Sequence, residues 1–268
     1  MPRILILGGT GEARVLAAAV SEDPHTDAVS SLAGRTRDPR VPVGDVRIGG
    51  FGGAGGLADW LRTNPVDAIV DATHPFAARI TANVVEAASR CNIPLLLLRR
   101  PEWVRRTGDD WREVADLADA AQLLPDVGSR VFLTIGRQGV DSFAALGALW
   151  FLVRAIDPPD ADMPPQSRLL LARGPFTSAA ERELMQEHRI NVLVTKNSGG
   201  DQTYGKVAAA RAMGIPVLMI RRPPLPPGVD VVHDVAGVMA WLGSHTHEAE
   251  DSSAPGRSAA RRTGDSRR

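Results

Sequence analysis

Short runs that are apolar throughout alternate along this chain with stretches whose apolar residues recur at helical spacing. Arg3–Leu7 is such a run, and it ends in Gly8-Gly9-Thr10-Gly11. From Glu12 to Val20, Val15, Leu16 and Ala19 fall on one side of a helix, so the segment reads strand, glycine-rich turn, helix. Ala28–Leu32 and Val46–Ile48 are the next strand candidates, the latter followed by Gly49-Gly50-Phe51-Gly52-Gly53. Leu57–Arg62 predicts a helix that stops before Pro65. Ala68–Val70 opens a buried strand ending at Asp71-Ala72-Thr73-His74-Pro75, Phe76 to Ser89 predicts a helix, and Pro94–Leu98 another buried strand. Fully apolar strands alternating with helices predict an α/β fold with mainly parallel sheets covered on both faces.

The second half repeats the plan. Val131–Ile135 leads into Gly136-Arg137-Gln138-Gly139 and a helix through Phe143 and Leu146, as Ile4–Leu7 leads into its own glycine turn. Ile190–Val194 ends in Thr195-Lys196-Asn197-Ser198, matching the strand that ends at Asp71. The clearest echo sets Ile93-Pro-Leu-Leu-Leu-Leu-Arg-Arg-Pro101 against Ile215-Pro-Val-Leu-Met-Ile-Arg-Arg-Pro223, each followed by a Val-rich segment and a helix. The offsets are 128 (Gly8 to Gly136), 124 (Asp71 to Thr195) and 122 (Ile93 to Ile215). Matches in this order indicate an internal duplication. The expectation is two related Rossmann-like domains, 1–126 and 127–243, followed by a disordered tail, 244–268. Ligands of such sheets bind at the carboxyl ends of the strands, so two facing domains would form a cleft.

Composition narrows the function. Of 31 basic residues only Lys196 and Lys206 are lysines, and they flank the single tyrosine, Tyr204. In a chain that otherwise uses arginine, that clustering points to a site needing a compact charge. Net charge is zero, which gives no reason to expect nucleic acid or a membrane surface as partner. A single cysteine, Cys91, excludes an internal disulfide framework and a cysteine-based zinc site. The histidines show no metal-ligand spacing. No apolar run approaches a membrane span, and Met1-Pro2-Arg3 leads straight into a strand, so a cytoplasmic protein without a signal peptide is expected.

The candidate chemistry follows from position. Gly8, Gly9, Thr10, Gly11 and Glu12 form a turn into a helix N-terminus, where backbone N–H groups and the helix dipole favour a pyrophosphate. A glycine turn after strand one also occurs in flavodoxin-like and nucleotide-free folds, and Arg14 occupies the third glycine position of the dinucleotide pattern, which implies looser packing or a shifted register. After the second strand there is no acid before Asp38, and Ser31, Arg35 and Thr36 are available, which favours the 2′-phosphate of NADPH over the bare ribose of NADH. A solvated basic loop would have the same composition. Gly50 and Gly52 would let the backbone approach the adenosine, or form a flexible loop. Thr73 and His74 would border the nicotinamide end; His74 could supply a proton, while Thr73 before Pro75 also suits a helix cap. In the second half, Arg137, Lys196, Asn197, Ser198, Gly199, Thr203, Tyr204 and Lys206 form a donor-rich set suited to a substrate with several carboxylates.

Taken together, Ile-Leu-Ile-Leu-Gly8-Gly-Thr-Gly-Glu-Ala-Arg14, Asp71-Ala-Thr-His-Pro-Phe-Ala77, Gly136-Arg-Gln-Gly139 and Thr195-Lys-Asn-Ser-Gly199 resemble the precorrin-6A reductase family of cobalamin biosynthesis, from about Arg3 to Leu242. The resemblance implies an NADPH-dependent reductase that delivers hydride to one carbon–carbon double bond of a tetrapyrrole, giving precorrin-6B. It also implies a two-domain fold with the substrate in the cleft and no bound metal ion. Channelling contacts with neighbouring pathway enzymes would suit such a step. The proton could come from His74, Tyr204 or water. The motifs leave open a metal-free or a cobalt-containing ring, and an NADPH-binding redox sensor remains the non-enzymatic alternative.

Overall fold

A computed structural model describes residues 1–34 and 39–251, the side chains of 246–251 excepted. Arg35 and Thr36, and the part of the expected tail from Ser252 onward, lie outside the described residues.

The elements are β1 (Arg3–Leu7), α1 (Gly11–Ser21), β2 (Asp27–Leu32), β3 (Asp45–Ile48), α2 (Gly53–Thr63), β4 (Ala68–Asp71), α3 (Ala78–Cys91), β5 (Leu95–Leu98), β6 (Trp111–Val114), α4 (Leu117–Leu123), β7 (Arg130–Thr134), β8 (Trp150–Ala155), β9 (Ser167–Leu171), α5 (Ser178–Glu187), β10 (Val192–Lys196), α6 (Gly205–Met213), β11 (Val217–Ile220), β12 (Asp230–Val232) and α7 (Val235–Asp251). They build two six-stranded sheets of order β12-β5-β4-β1-β2-β3 and β6-β11-β10-β7-β8-β9. Every pairing is parallel. The fold is therefore α/β with two Rossmann-like sheets. The fully buried strands β4 and β11 show why a parallel sheet reads as an unbroken apolar run.

The two sheets have one topology, with one exchange. β1, β2, β3, β4 and β5 correspond in order to β7, β8, β9, β10 and β11. The sixth strand is traded: β6, which follows β5 in the chain, pairs with β11, whereas β12, which follows β11, pairs with β5. The helices travel with them. Val235, Val238, Met239, Trp241 and Leu242 of α7 pack with Ile4 and Ile6 of the first sheet and Leu16 of α1, and Leu117 and Ala120 of α4 pack in the core of the second. A boundary at residue 126 therefore does not divide the sheets, because the chain crosses between them after Arg100 and again after Arg222. Helix α7 also runs through Asp251, so 244–251 are helical where a tail was expected.

Other local expectations change as well. α1 buries Ala13, Leu16, Ala17 and Val20, and Val15 is exposed. After Gly139 only a 3-10 turn, Val140–Phe143, fits before the chain enters β8. Helix α3 starts at Ala78, so Thr73 does not cap it. β8, β9 and α5 were not read from the pattern, although β8 is a buried strand.

Candidate active site

The carboxyl ends of the two sheets face one another across a cleft of about 420 Å³. One wall is the glycine turn with α1, and the other is the stretch from β10 to α6. Thr10 caps α1: its hydroxyl accepts from the Ala13 N–H at 3.1 Å and donates to the Ala72 carbonyl at 2.8 Å, tying the turn to the end of β4. Gly9 has φ +114, and a Cβ there would meet nothing within 4 Å. The turn thus leaves open space beside an α-helix N-terminus, as an anionic group requires. Arg14, in the third glycine position, lies on the cleft wall, and its Nη1 donates to the Thr10 carbonyl. Buried Ala13 packs beside Gly8 instead, so the register is shifted by one residue.

On the other side of the turn a second cavity, about 490 Å³, runs over the ends of β1 and β2. Gly8, Ser31, Gly50, Gly52 and Thr73 line it; Thr73 is thus parted from His74, which lines the cleft, although both were expected at the nicotinamide end. Sequence reasoning missed Arg47, Arg79 and Asn83. Arg47 stacks over Phe51 at 3.8 Å and donates to the Gly49 and Gly50 carbonyls, which fixes the glycine loop. Arg79 and Asn83 line the same cavity from α3, where the helical pattern gave no sign of a site. The two spaces, one on each side of the turn, fit an extended dinucleotide.

Asp71, fully buried at the end of β4, fixes the loop beside the turn. Its Oδ1 accepts from the Thr73 N–H and hydroxyl at 2.9 and 2.6 Å, and its Oδ2 accepts from Thr81 at 2.7 Å and Arg99 at 3.0 Å. Thr73 is therefore occupied by Asp71. His74 points into the cleft. Burial, and then the positive charges of Arg100, Lys196, Arg222 and Arg99, push its pKa down to about 3. The Phe76 N–H donates to its Nδ1 at 3.3 Å, so the neutral ring carries its proton on Nε2. As an imidazolium acid at neutral pH His74 is excluded.

The second wall is basic. Arg154, Arg173, Lys196 and Lys206 line the cleft from this half, and Arg14, Arg40 and Arg100 add to them from the first, against Glu12 and Asp201. Glu12 is taken by Arg100 at 2.8 Å, so the expectation that it serves a cofactor is not met by its side chain. Lys196 Nζ donates to the Ile135 carbonyl at 2.8 Å and sits 5.5 Å from the Phe76 ring; burial lowers its pKa. Ser198, Gly199, Thr203 and Lys206 also line the cleft.

Three expected substrate residues do not line the cleft. Asn197 is buried and exchanges hydrogen bonds with the Trp103 backbone, accepting its N–H at 2.9 Å and donating to its carbonyl at 3.2 Å, so it anchors the first crossing segment. The Tyr204 hydroxyl bonds Arg211, which is itself paired with Asp109, and the ring packs beside Trp103. The hydroxyl accepts from Arg211 away from the cleft, so Tyr204 is not placed to give a proton to a ligand there. Arg137 is paired with Asp160 at 3.1 Å. Residues that the sequence reading missed replace them: Arg100, Arg154 and Arg173 line the cleft. Arg100 was visible as half of the repeated Arg-Arg-Pro motif, whose reach across the cleft depends on the strand exchange.

Residues 3–243 match the family model described as "Precorrin-6x reductase CbiJ/CobK". The chain belongs to this family. It is 72% identical to a precorrin-6A reductase of Rhodococcus erythropolis, over 92% of this chain and 99% of the relative. To the precorrin-6A reductase of Mycobacterium tuberculosis strain H37Rv it is 48% identical over 90% and 98%. A cobalt-precorrin-6A reductase of Priestia megaterium is 28% identical over 86% and 96%. The solved structure of a CobK precorrin-6A reductase superposes with a TM-score of 0.86 at 43% identity, covering 91% of this chain and 97% of that one. The family is that of the motif resemblance, and its members are oxidoreductases of cobalamin biosynthesis that act on a CH–CH group.

Proposed function

We propose that the chain reduces one carbon–carbon double bond of metal-free precorrin-6A to give precorrin-6B, with NADPH as reductant. The observation that carries this reading is the cleft itself, with an open glycine turn at a helix N-terminus on one wall and a cationic surface on the other. A dinucleotide would run from the turn over Gly50 and Gly52, and its 2′-phosphate would meet Arg35. NADPH when bound supplies the hydride. The basic wall, with Lys196 and Lys206, binds the carboxylate side chains of the macrocycle and favours electron density arriving in the ring. His74, held neutral, donates a hydrogen bond from Nε2 into the cleft. The metal-free substrate is favoured over the cobalt form because the relatives named for it share 43–72% identity with this chain, against 28–31% for those named for the cobalt form. The reaction belongs in the cytoplasm, where NADPH is regenerated.

The test is anaerobic incubation with precorrin-6A and NADPH. We expect loss of the NADPH absorbance together with a macrocycle heavier by two hydrogens, and slower turnover of the cobalt form. Tight NADPH binding without oxidation in the presence of precorrin-6A would overturn the reading in favour of a sensor.

A further inference from the structure

We propose that Lys206 Nζ is the acid that delivers the proton completing reduction of the macrocycle. The proposal rests on the function argued above, but it assigns Lys206 a chemical step in addition to carboxylate binding.

The argument begins with position. Lys206 lies in the first turn of α6, on the cleft wall, with only 4% of its surface exposed. Its ammonium donates to the Thr203 carbonyl at 2.9 Å and lies 4.9 Å from the Trp103 ring. Neither neighbour neutralises a charge. The ionised groups around it come from three other elements: Arg154 on β8, Glu181 on α5, and Arg100 after β5. Glu181 is already committed, because Arg154 Nη1 donates to its Oε1 at 2.6 Å in a buried pair. Lys206 is therefore a buried cation beside two guanidiniums, with its one nearby carboxylate claimed by another partner. Desolvation, and then Arg154, push its pKa down to about 7, Glu181 offsetting part of the shift. A group in that state holds a proton at neutral pH and releases it readily, as an efficient general acid must.

The other groups considered for this role do not fill it. His74 is already deprotonated at neutral pH. The Tyr204 hydroxyl is held by Arg211 outside the cleft. Lys196 is held at the opposite end of the stretch by the Ile135 carbonyl at 2.8 Å, with burial lowering its pKa, and the function proposed above gives it to the carboxylates.

The step balances as follows. As hydride forms a C–H bond at one carbon of the conjugated double bond, the π pair moves into the ring system. An N–H bond of Lys206 breaks, the electron pair stays on nitrogen, and the proton forms the second C–H bond at the adjacent carbon. Lys206 is left as a neutral amine and regains a proton from water after product leaves.

The presence of only two lysines makes the test direct. Protein grown on lysine labelled with carbon-13 at Cε gives two side-chain resonances, which Lys196→Met assigns. The Lys206 resonance is expected to titrate near pH 7; titration near pH 10 overturns the proposal. Lys206→Arg keeps the charge but cannot release a proton. It should bind NADPH and precorrin-6A with affinities within about threefold of the parent, lower kcat by about 100-fold or more, and lack the fall in kcat expected of the parent above pH 7. Lys206→Met, which needs no charge at that position, is expected to show the same loss of kcat and pH limb if the arginine does not fit. Variants that turn over like the parent sink the acid role and leave the function intact. A parent chain that leaves precorrin-6A unreduced sinks the function and the acid role together, while the titration still reports on Lys206 itself.

Discussion

Single residues at this site are fixed by buried polar bonds that span long stretches of sequence. Asp71 and Arg99 are 28 positions apart and both nearly inaccessible, and with Thr73 and Thr81 they hold the loop that carries His74. Removing one member leaves the other charge buried without a partner. Asp71→Ala is therefore expected to destabilise the protein by about 3–5 kcal/mol, read from urea unfolding, whereas a change under about 1 kcal/mol would mean that Arg99 finds another partner. From the sequence, Asp71 and Thr73 could be placed at the end of a strand, but their mutual bond could not be foreseen, because Arg99 comes from the neighbouring strand's end. The reach of Asn197 to the Trp103 backbone and of Tyr204 to Arg211 was illegible for the same reason. Composition marked the stretch as special without showing which donors face the cleft. Arg35 belongs to the other kind of evidence, an arginine where an acid would select NADH. Arg35→Ala should raise the KM for NADPH about tenfold or more and leave that for NADH nearly unchanged; equal losses would remove the 2′-phosphate assignment.

At the scale of elements, the glycine turn and its helix were legible because one short segment supplies both the backbone freedom and the cap. The stretch from β10 to α6 was harder, since it serves two ends at once. Gly199 has φ +67, and a Cβ there would collide with the Pro101 carbonyl, so the loop is pressed against the crossing segment. Arg100 Nε and Arg222 Nη2 both donate to the Ser198 carbonyl, at 2.6 and 3.0 Å. Gly199→Ala combines a left-handed backbone with an overpacked contact, and a loss of about 2–4 kcal/mol in thermal or chemical unfolding is expected. Lys196 tests the function of the same element. Lys196→Met keeps most of the length and removes the charge, so it should raise the KM for precorrin-6A about tenfold while the Kd for NADPH stays within about twofold. Collapse of NADPH binding with substrate affinity intact would reverse the roles given to the two walls.

The whole molecule departs from its sequence repeat in one respect, and that departure decides how it holds together. The offsets of 128, 124 and 122 revealed two copies of one sheet, and β1 and β7, β4 and β10, and β5 and β11 occupy equivalent places in the two strand orders. A repeat cannot show which copy a strand joins, because β6 and β12 each follow the same Arg-Arg-Pro motif and each ends up at a sheet's edge. The exchange makes each sheet dependent on the other half of the chain. Residues 1–126 contain β6 and α4, which belong to the second sheet, and lack β12 and α7, whose Val238 and Leu242 are buried against the first. Without α7 one face of the first sheet is left apolar and open to water, and burying such side chains contributes about 1.5–3 kcal/mol each. A fragment 1–126 is therefore expected to aggregate or to lack a cooperative unfolding transition. A chain of 1–104 joined to 225–251, through a linker long enough to return from the end of β5 to the start of β12, should fold and bind NADPH weakly. The comparison is made by calorimetry and by NADPH fluorescence. If 1–126 unfolds cooperatively and the joined chain does not, β12 and α7 are not what completes the first sheet. If the outcome is as expected, the first sheet folds only with the strand and helix it receives from the other half of the chain, and the two crossing segments join the walls of the cleft in the covalent chain as well as through the Arg100 and Arg222 bonds.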